Sequence, residues 1–102
     1  MAKPDLAKYQ AAIEAFCKKW QVVELALFGS ILRDDFGPES DVDVLVSFAE
    51  DAGWSLADLV TMEDELEALF GREVEIVEKE VLRNPFRRQA ILAGKEVVYA
   101  AR

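Results

Sequence analysis

A chain of 102 residues, 52% of them apolar, has room for one hydrophobic core, so residues 1–102 are expected to form a single domain. A net charge of −8, from 20 acidic and 12 basic residues, repels phosphate backbones and argues against stable nucleic-acid binding, though not against a small nucleotide carried in by a cation. The absence of histidine and the presence of one cysteine, Cys17, exclude Ser-His-Asp and Cys-His catalysis, histidine-bound zinc and an intramolecular disulfide. Any chemistry must run on carboxylates and a hard, oxygen-loving cation. The N-terminal stretch lacks the apolar run of a signal peptide, and no segment approaches the roughly 18 apolar residues of a membrane span. A soluble, cytoplasmic protein with no membrane contact is expected. So small a chain leaves little room for a second substrate-binding domain, which points to a partner or to a hetero- or homo-oligomer.

The elements follow in chain order. Leu6, Tyr9, Ile13, Phe16, Cys17 and Trp20 recur at helical spacing, which predicts an amphipathic helix over about Asp5–Trp20. Val22–Phe28 is short, apolar and rich in β-branched residues, the pattern of a buried strand. Gly29-Ser30 stops that strand and opens a short helix to about Asp34, followed by a loop at Gly37-Pro38. A second strand runs over Val42–Phe48 with Asp41 at its entry. Ser55 and Asp58 have the spacing of a capping box, starting a helix whose face carries Leu56, Leu59, Val60, Leu66, Leu69 and Phe70 and which Gly71 closes. Arg72–Val77 reads as a third strand. Asn84-Pro85 supplies the cap and first residue of a last helix ending at Gly94, with a final strand over Lys95–Tyr99. The order α-β-α-β-α-β-α-β predicts an α/β (α+β) domain: helices against a small mixed β-sheet. Phe16, Trp20 and Trp54 are read as core and rim packing rather than as a base-stacking platform.

The strongest chemical signal is Phe28-Gly29-Ser30, ten further residues, then Asp41-Val42-Asp43. Gly29 permits a sharp turn after the strand and close approach of a phosphate. Ser30 falls at a helix N-terminus, where free N–H groups and the dipole favour anions. Asp41 and Asp43 leave the same face of a strand and so form a ready Mg²⁺ site. A helix N-terminus facing two carboxylates suits a metal-bound nucleoside triphosphate. Average residue usage gives this combination in roughly one chain in a thousand of this length. The desolvation cost of an acid in so apolar a strand also has no evident structural offset. The pattern is therefore read as a site.

The stretch Leu27-Phe28-Gly29-Ser30, Arg33 and Ser40-Asp41-Val42-Asp43-Val44-Leu45-Val46 resembles the G-S-x10-D-x-D signature of minimal nucleotidyltransferases of the DNA polymerase β superfamily. The resemblance implies that superfamily's nucleotidyltransferase fold. It further implies transfer of AMP from Mg-ATP to a tyrosine hydroxyl of a HEPN-domain toxin, the protein serving as its antitoxin. The family's third metal-binding carboxylate corresponds to Glu75 in Val74-Glu75-Ile76-Val77, where the family usually has Asp; that acid is also the family's candidate base. Glu75 otherwise reads as one surface acid among Glu73, Glu78 and Glu80. Arg33 and Ser40 match residues of the family: Arg33, one turn after Ser30, either faces the phosphates or is simply solvated, Ser40 either contacts a phosphate or caps the turn, and Asp34-Asp35, which either neutralise Arg33 or sit in solvent, stand where the family has Gly. The resemblance thus implies nucleotide contacts at Gly29, Ser30, Arg33 and Ser40, with metal ligation and catalysis at Asp41, Asp43 and Glu75. Arg83, Arg87 and Arg88 form the basic cluster of an acidic chain, either a solvated helix face or a receiver of acidic groups or phosphate. A second reading keeps the fold but not the chemistry: a catalytically weak or inactive module that neutralises its partner by contact.

Overall fold

The computed structural model describes residues 9–29 and 41–101. Helix α1 spans Gln10–Lys19, strand β1 Val22–Phe28, β2 Val42–Phe48, α2 Leu56–Phe70, β3 Val74–Glu78, α3 Pro85–Gly94 and β4 Glu96–Ala100. The first part of the expected N-terminal helix and the short helix expected after Gly29 lie outside the described residues. The local signals at α2 act as expected. Ser55 Oγ accepts from Asp58 N at 3.2 Å while Asp58 Oδ2 accepts from Ser55 N at 2.9 Å, and Gly71 ends the helix at φ 70°. Asn84 Oδ1 accepts from the N–H groups of Phe86 and Arg87, with Pro85 at the first position of α3. A 3₁₀ turn at Lys79–Val81, which no residue pattern announced, links β3 to α3.

The sheet order is β3-β2-β1-β4. Strand β1 runs antiparallel to β2 and β4, while β2 and β3 are parallel and joined through α2, the long crossover that parallel strands need. One face packs Leu25, Leu27, Val42, Val44 and Val46 against Ile13, Phe16 and Cys17 of α1 and Met62, Leu66 and Phe70 of α2. The opposite face sets Ala26, Phe28 and Leu45 against Leu82 and Ile91, so α3 covers it. A bulge between Val22 and Glu24 lets Val22 join the first face despite its odd spacing from Leu25.

The aromatic residues pack as the sequence predicts. Phe16 and Trp20 are buried, and the rings of Trp20 and Trp54 meet edge to face at 5.1 Å. Trp54 Nε1 donates to the Trp20 carbonyl at 2.8 Å, and Trp20 Nε1 donates to Glu65 Oε1 at 2.9 Å. The hydrogen bond from Lys19, followed by that from Trp20, holds the Glu65 carboxyl below the usual carboxylate range. A depressed folded-state value stabilises the protein above the unfolded carboxylate's pKa, and that contribution is lost as pH falls through the folded value. The Tm difference between wild type and Glu65→Gln should therefore be present at neutral pH and shrink below about pH 4.

Cys17 is fully buried, and that burial, with Glu14 nearby, pushes its thiol up to about 12. A thiol reagent should react with it only as fast as the protein unfolds, a rate read by adding denaturant. One expectation is overturned. Leu56 and Val60, assigned from spacing to the core face of α2, are 77% and 51% exposed. The buried line of α2 runs through Met62, Leu66 and Phe70, and these two residues lie about a quarter to a third of a turn round the helix from it.

Candidate active site

Strand β1 ends at Phe28, and the chain turns there at Gly29 with φ 77°, a left-handed conformation that favours glycine. A second constraint acts at the same residue. A Cβ on Gly29 would overlap Asp43 Oδ2 and lie 3.3 Å from Asp43 Cγ. The glycine backbone therefore lies directly against the carboxylate.

Asp43 is oriented by its neighbours. Val42 and Val44 are fully buried in the core under α1 and α2, so alternation turns Asp43 to the opposite face. Asp41, two positions earlier at the entry to β2, shares that side by the same alternation. Asp43 pairs across β1 with Phe28 and across β3 with Glu75, so Phe28, Asp43 and Glu75 form one row over three strands about 4.8 Å apart. The hydrogen bond from Val42 N to Glu73 O at 2.9 Å pins the start of this row. Asp43 is half-buried, while Asp41 and Glu75 are exposed. Further along the same face, Leu45 pairs with Ala26 and Val77, so the carboxylates border an apolar floor.

The donor set fits a hard divalent cation: oxygen ligands only, two of them at i, i+2, beside a backbone with no Cβ to obstruct a phosphate. Glu75 is the register neighbour of Asp43, but as the side chains stand no three carboxylates converge among the described residues. Ser30, Arg33 and Ser40 lie outside the described residues, as do Asp34 and Asp35.

Of Arg83, Arg87 and Arg88, the last has a structural task. Arg88 Nη1 donates to the carbonyls of Lys79 at 2.8 Å and Leu82 at 3.3 Å, tying α3 to the 3₁₀ turn. That anchor lies beyond the C-terminal end of β3, whereas Glu75 is near its N-terminal end. Sequence reasoning also missed Glu24. This residue accepts from Lys95 Nζ at 2.6 Å, with Lys79 Nζ at 3.8 Å, joining β1 to the residue before β4 and to the 3₁₀ turn. Lys95's hydrogen bond holds the Glu24 carboxyl low against the opposing effect of burial. Isolated charges far apart in sequence carry no periodic signal by which such a cluster could be found.

With the glycine turn set against a D-x-D strand on a mixed sheet backed by helices, the nucleotidyltransferase domain family model matches residues 10–98. The chain belongs to the nucleotidyltransferase domain family. It is homologous to protein adenylyltransferase MntA of Thermococcus cleftensis, with 37% identity over 103 residues, 97% of this chain and 99% of the relative. A solved structure described as a minimal nucleotidyltransferase superposes with a TM-score of 0.72 at 32% identity, covering 89% of this chain and 90% of that one. The fold also matches, at 13% identity and a TM-score of 0.69, a structure of tri-AMPylated Shewanella oneidensis HEPN toxin in complex with MNT antitoxin, covering 95% of this chain and 74% of the other. The family, fold and enzyme class expected from the resemblance therefore stand. No helix among the described residues is long and apolar enough to cross a membrane.

Proposed function

We propose that this protein transfers AMP from Mg-ATP to a tyrosine hydroxyl of a HEPN-type toxin and so serves, in the cytoplasm, as that toxin's antitoxin. The observation that carries the reading is the direct approach of the Gly29 backbone to the Asp43 carboxylate, with Glu75 on the adjoining strand. A magnesium ion bound there would neutralise the triphosphate and polarise its α-phosphorus. Asp41 and Asp43 would hold the cation, and Glu75 would supply a third oxygen from the next strand once its side chain turned toward them. Gly29 keeps the space above Asp43 open to phosphate. Ser30, Arg33 and Ser40 meet the phosphate oxygens in this reading, on the strength of their sequence positions. The acceptor oxygen forms a bond to the α-phosphorus, the bond from α-phosphorus to the bridging oxygen breaks, and pyrophosphate departs. The proton of the attacking hydroxyl passes to Glu75, the carboxylate this histidine-free chain offers next to Asp43 in the row.

Glu75→Ala should lower transfer by about a hundredfold or more, the usual contribution of a positioned acid or base, while Glu75→Asp retains much of the rate. Initial rates under saturating ATP read both. The reading as a whole is tested by incubating the protein with Mg²⁺ and its HEPN partner, using ATP labelled at the α- or the γ-phosphate. Label on the partner from α-labelled ATP alone is the expected result. Label from neither nucleotide, with toxin still neutralised, establishes instead a module that acts by contact, a reading that the unconverged carboxylates and glutamate at position 75 make specific.

A further inference from the structure

Three of the six large apolar side chains exposed among the described residues, Leu56, Val60 and Val81, line one groove of about 370 Å³. The groove crosses the outer edge of β3, with α2 on one side and the 3₁₀ turn on the other; Ile76 and Val77, the two residues after Glu75, also line it. Leu56 and Val60 repeat at helical spacing and carry the pattern of a buried face, yet none of the described residues covers them.

The structure indicates what kind of element fits. Strand addition to β3 is blocked, because the N–H groups of Val74 and Ile76 already donate to Glu67 Oε2 and Glu63 Oε2 of α2, each at 3.2 Å. A helix needs no backbone partners and can lie along an apolar groove through its side chains alone. Charge selects further. Two carboxylates, Glu63 and Glu78, outweigh the one cation, Arg87, among the residues that line the groove, and the whole chain carries −8, so a second copy is repelled and a basic partner attracted.

We propose that this groove receives a basic amphipathic helix of the acceptor protein, docking it alongside the strand that carries Glu75. The proposal rests on the adenylyl-transfer reading only in calling that protein the acceptor. The probe is a fluorescent helical peptide of about four turns, with leucines at i, i+3, i+4 and i+7 and lysines elsewhere. Leu56→Asp/Val60→Asp, and Val81→Asp on the opposite wall, change exposed positions, and thermal melts confirm their folding. The expected result is salt-sensitive binding that weakens by about tenfold or more in each variant, with methyl shifts in wild type confined to Leu56, Leu59, Val60, Val77 and Val81. Absent binding, equal binding of the variants, or equal binding of a peptide with glutamate in place of lysine overturns the proposal. So does a concentration-dependent dimer that Val81→Asp abolishes. Binding of an Mg²⁺-bound ATP analogue is measured on the same samples. If the nucleotide binds and the peptide does not, the groove proposal alone fails; the converse result leaves the groove standing and removes the adenylyl-transfer reading.

Discussion

Asp41→Asn/Asp43→Asn should reduce AMP transfer by about a thousandfold or more without unfolding the protein. A bound cation contributes several kcal/mol of charge stabilisation in phosphoryl chemistry, and every ~1.4 kcal/mol lost is a factor of ten in rate. Asparagine keeps the shape of aspartate but gives up the charge that holds the cation. The fold should survive the loss of that charge, since β2 is anchored by the buried Val42, Val44, Leu45 and Val46. A cooperative thermal transition in both proteins, with transfer from α-labelled ATP lost in the variant, is the expected pair of observations. Transfer within a few-fold of wild type would show that the D-x-D pair is not the metal site.

Gly29→Ala should damage both stability and activity, for separable reasons. Placing alanine at φ 77° costs about 1–2 kcal/mol. The added methyl would also overlap the Asp43 carboxylate, so that side chain or the turn must move. For a domain of this size, each kcal/mol lowers Tm by about 4–8 °C. Activity should fall further than stability accounts for, because the displaced group is the one proposed to hold the cation. A double-mutant cycle separates the two effects: in an Asp43→Ala background the overlap is gone, and Gly29→Ala should then cost only the backbone strain. Equal costs in the two backgrounds would mean that the close approach has no energetic weight.

The parts of the fold legible in the sequence are those set by local chemistry. Ser55 with Asp58, Gly71 and Asn84-Pro85 mark helix ends because caps act within a few residues of themselves. The apolar runs over Val22–Phe28 and Val42–Phe48 match β1 and β2 at both ends. The third strand begins at Val74 rather than Arg72, where apolar packing starts. What stayed hidden depends on packing between distant residues. Nothing near Leu56 or Val60 in sequence reveals that the sheet stops short of their side of α2, and the carbonyls taken by Arg88 belong to a turn without a pattern. The candidate site divides along the same line. The spacing of Gly29, Asp41 and Asp43 marked a candidate site, and family resemblance pointed to Glu75 as a candidate member. Strand register then aligned Phe28, Asp43 and Glu75, and the contact of Gly29 with Asp43 arises only when β1 and β2 pair.

Calorimetric titration of a non-hydrolysable ATP analogue, with and without Mg²⁺, tests most directly whether Asp41 and Asp43 form a metal-dependent nucleotide site. Binding that requires the cation and disappears in Asp41→Asn/Asp43→Asn is the expected result. Binding of equal strength without the cation, or in the doubly substituted protein, would contradict it.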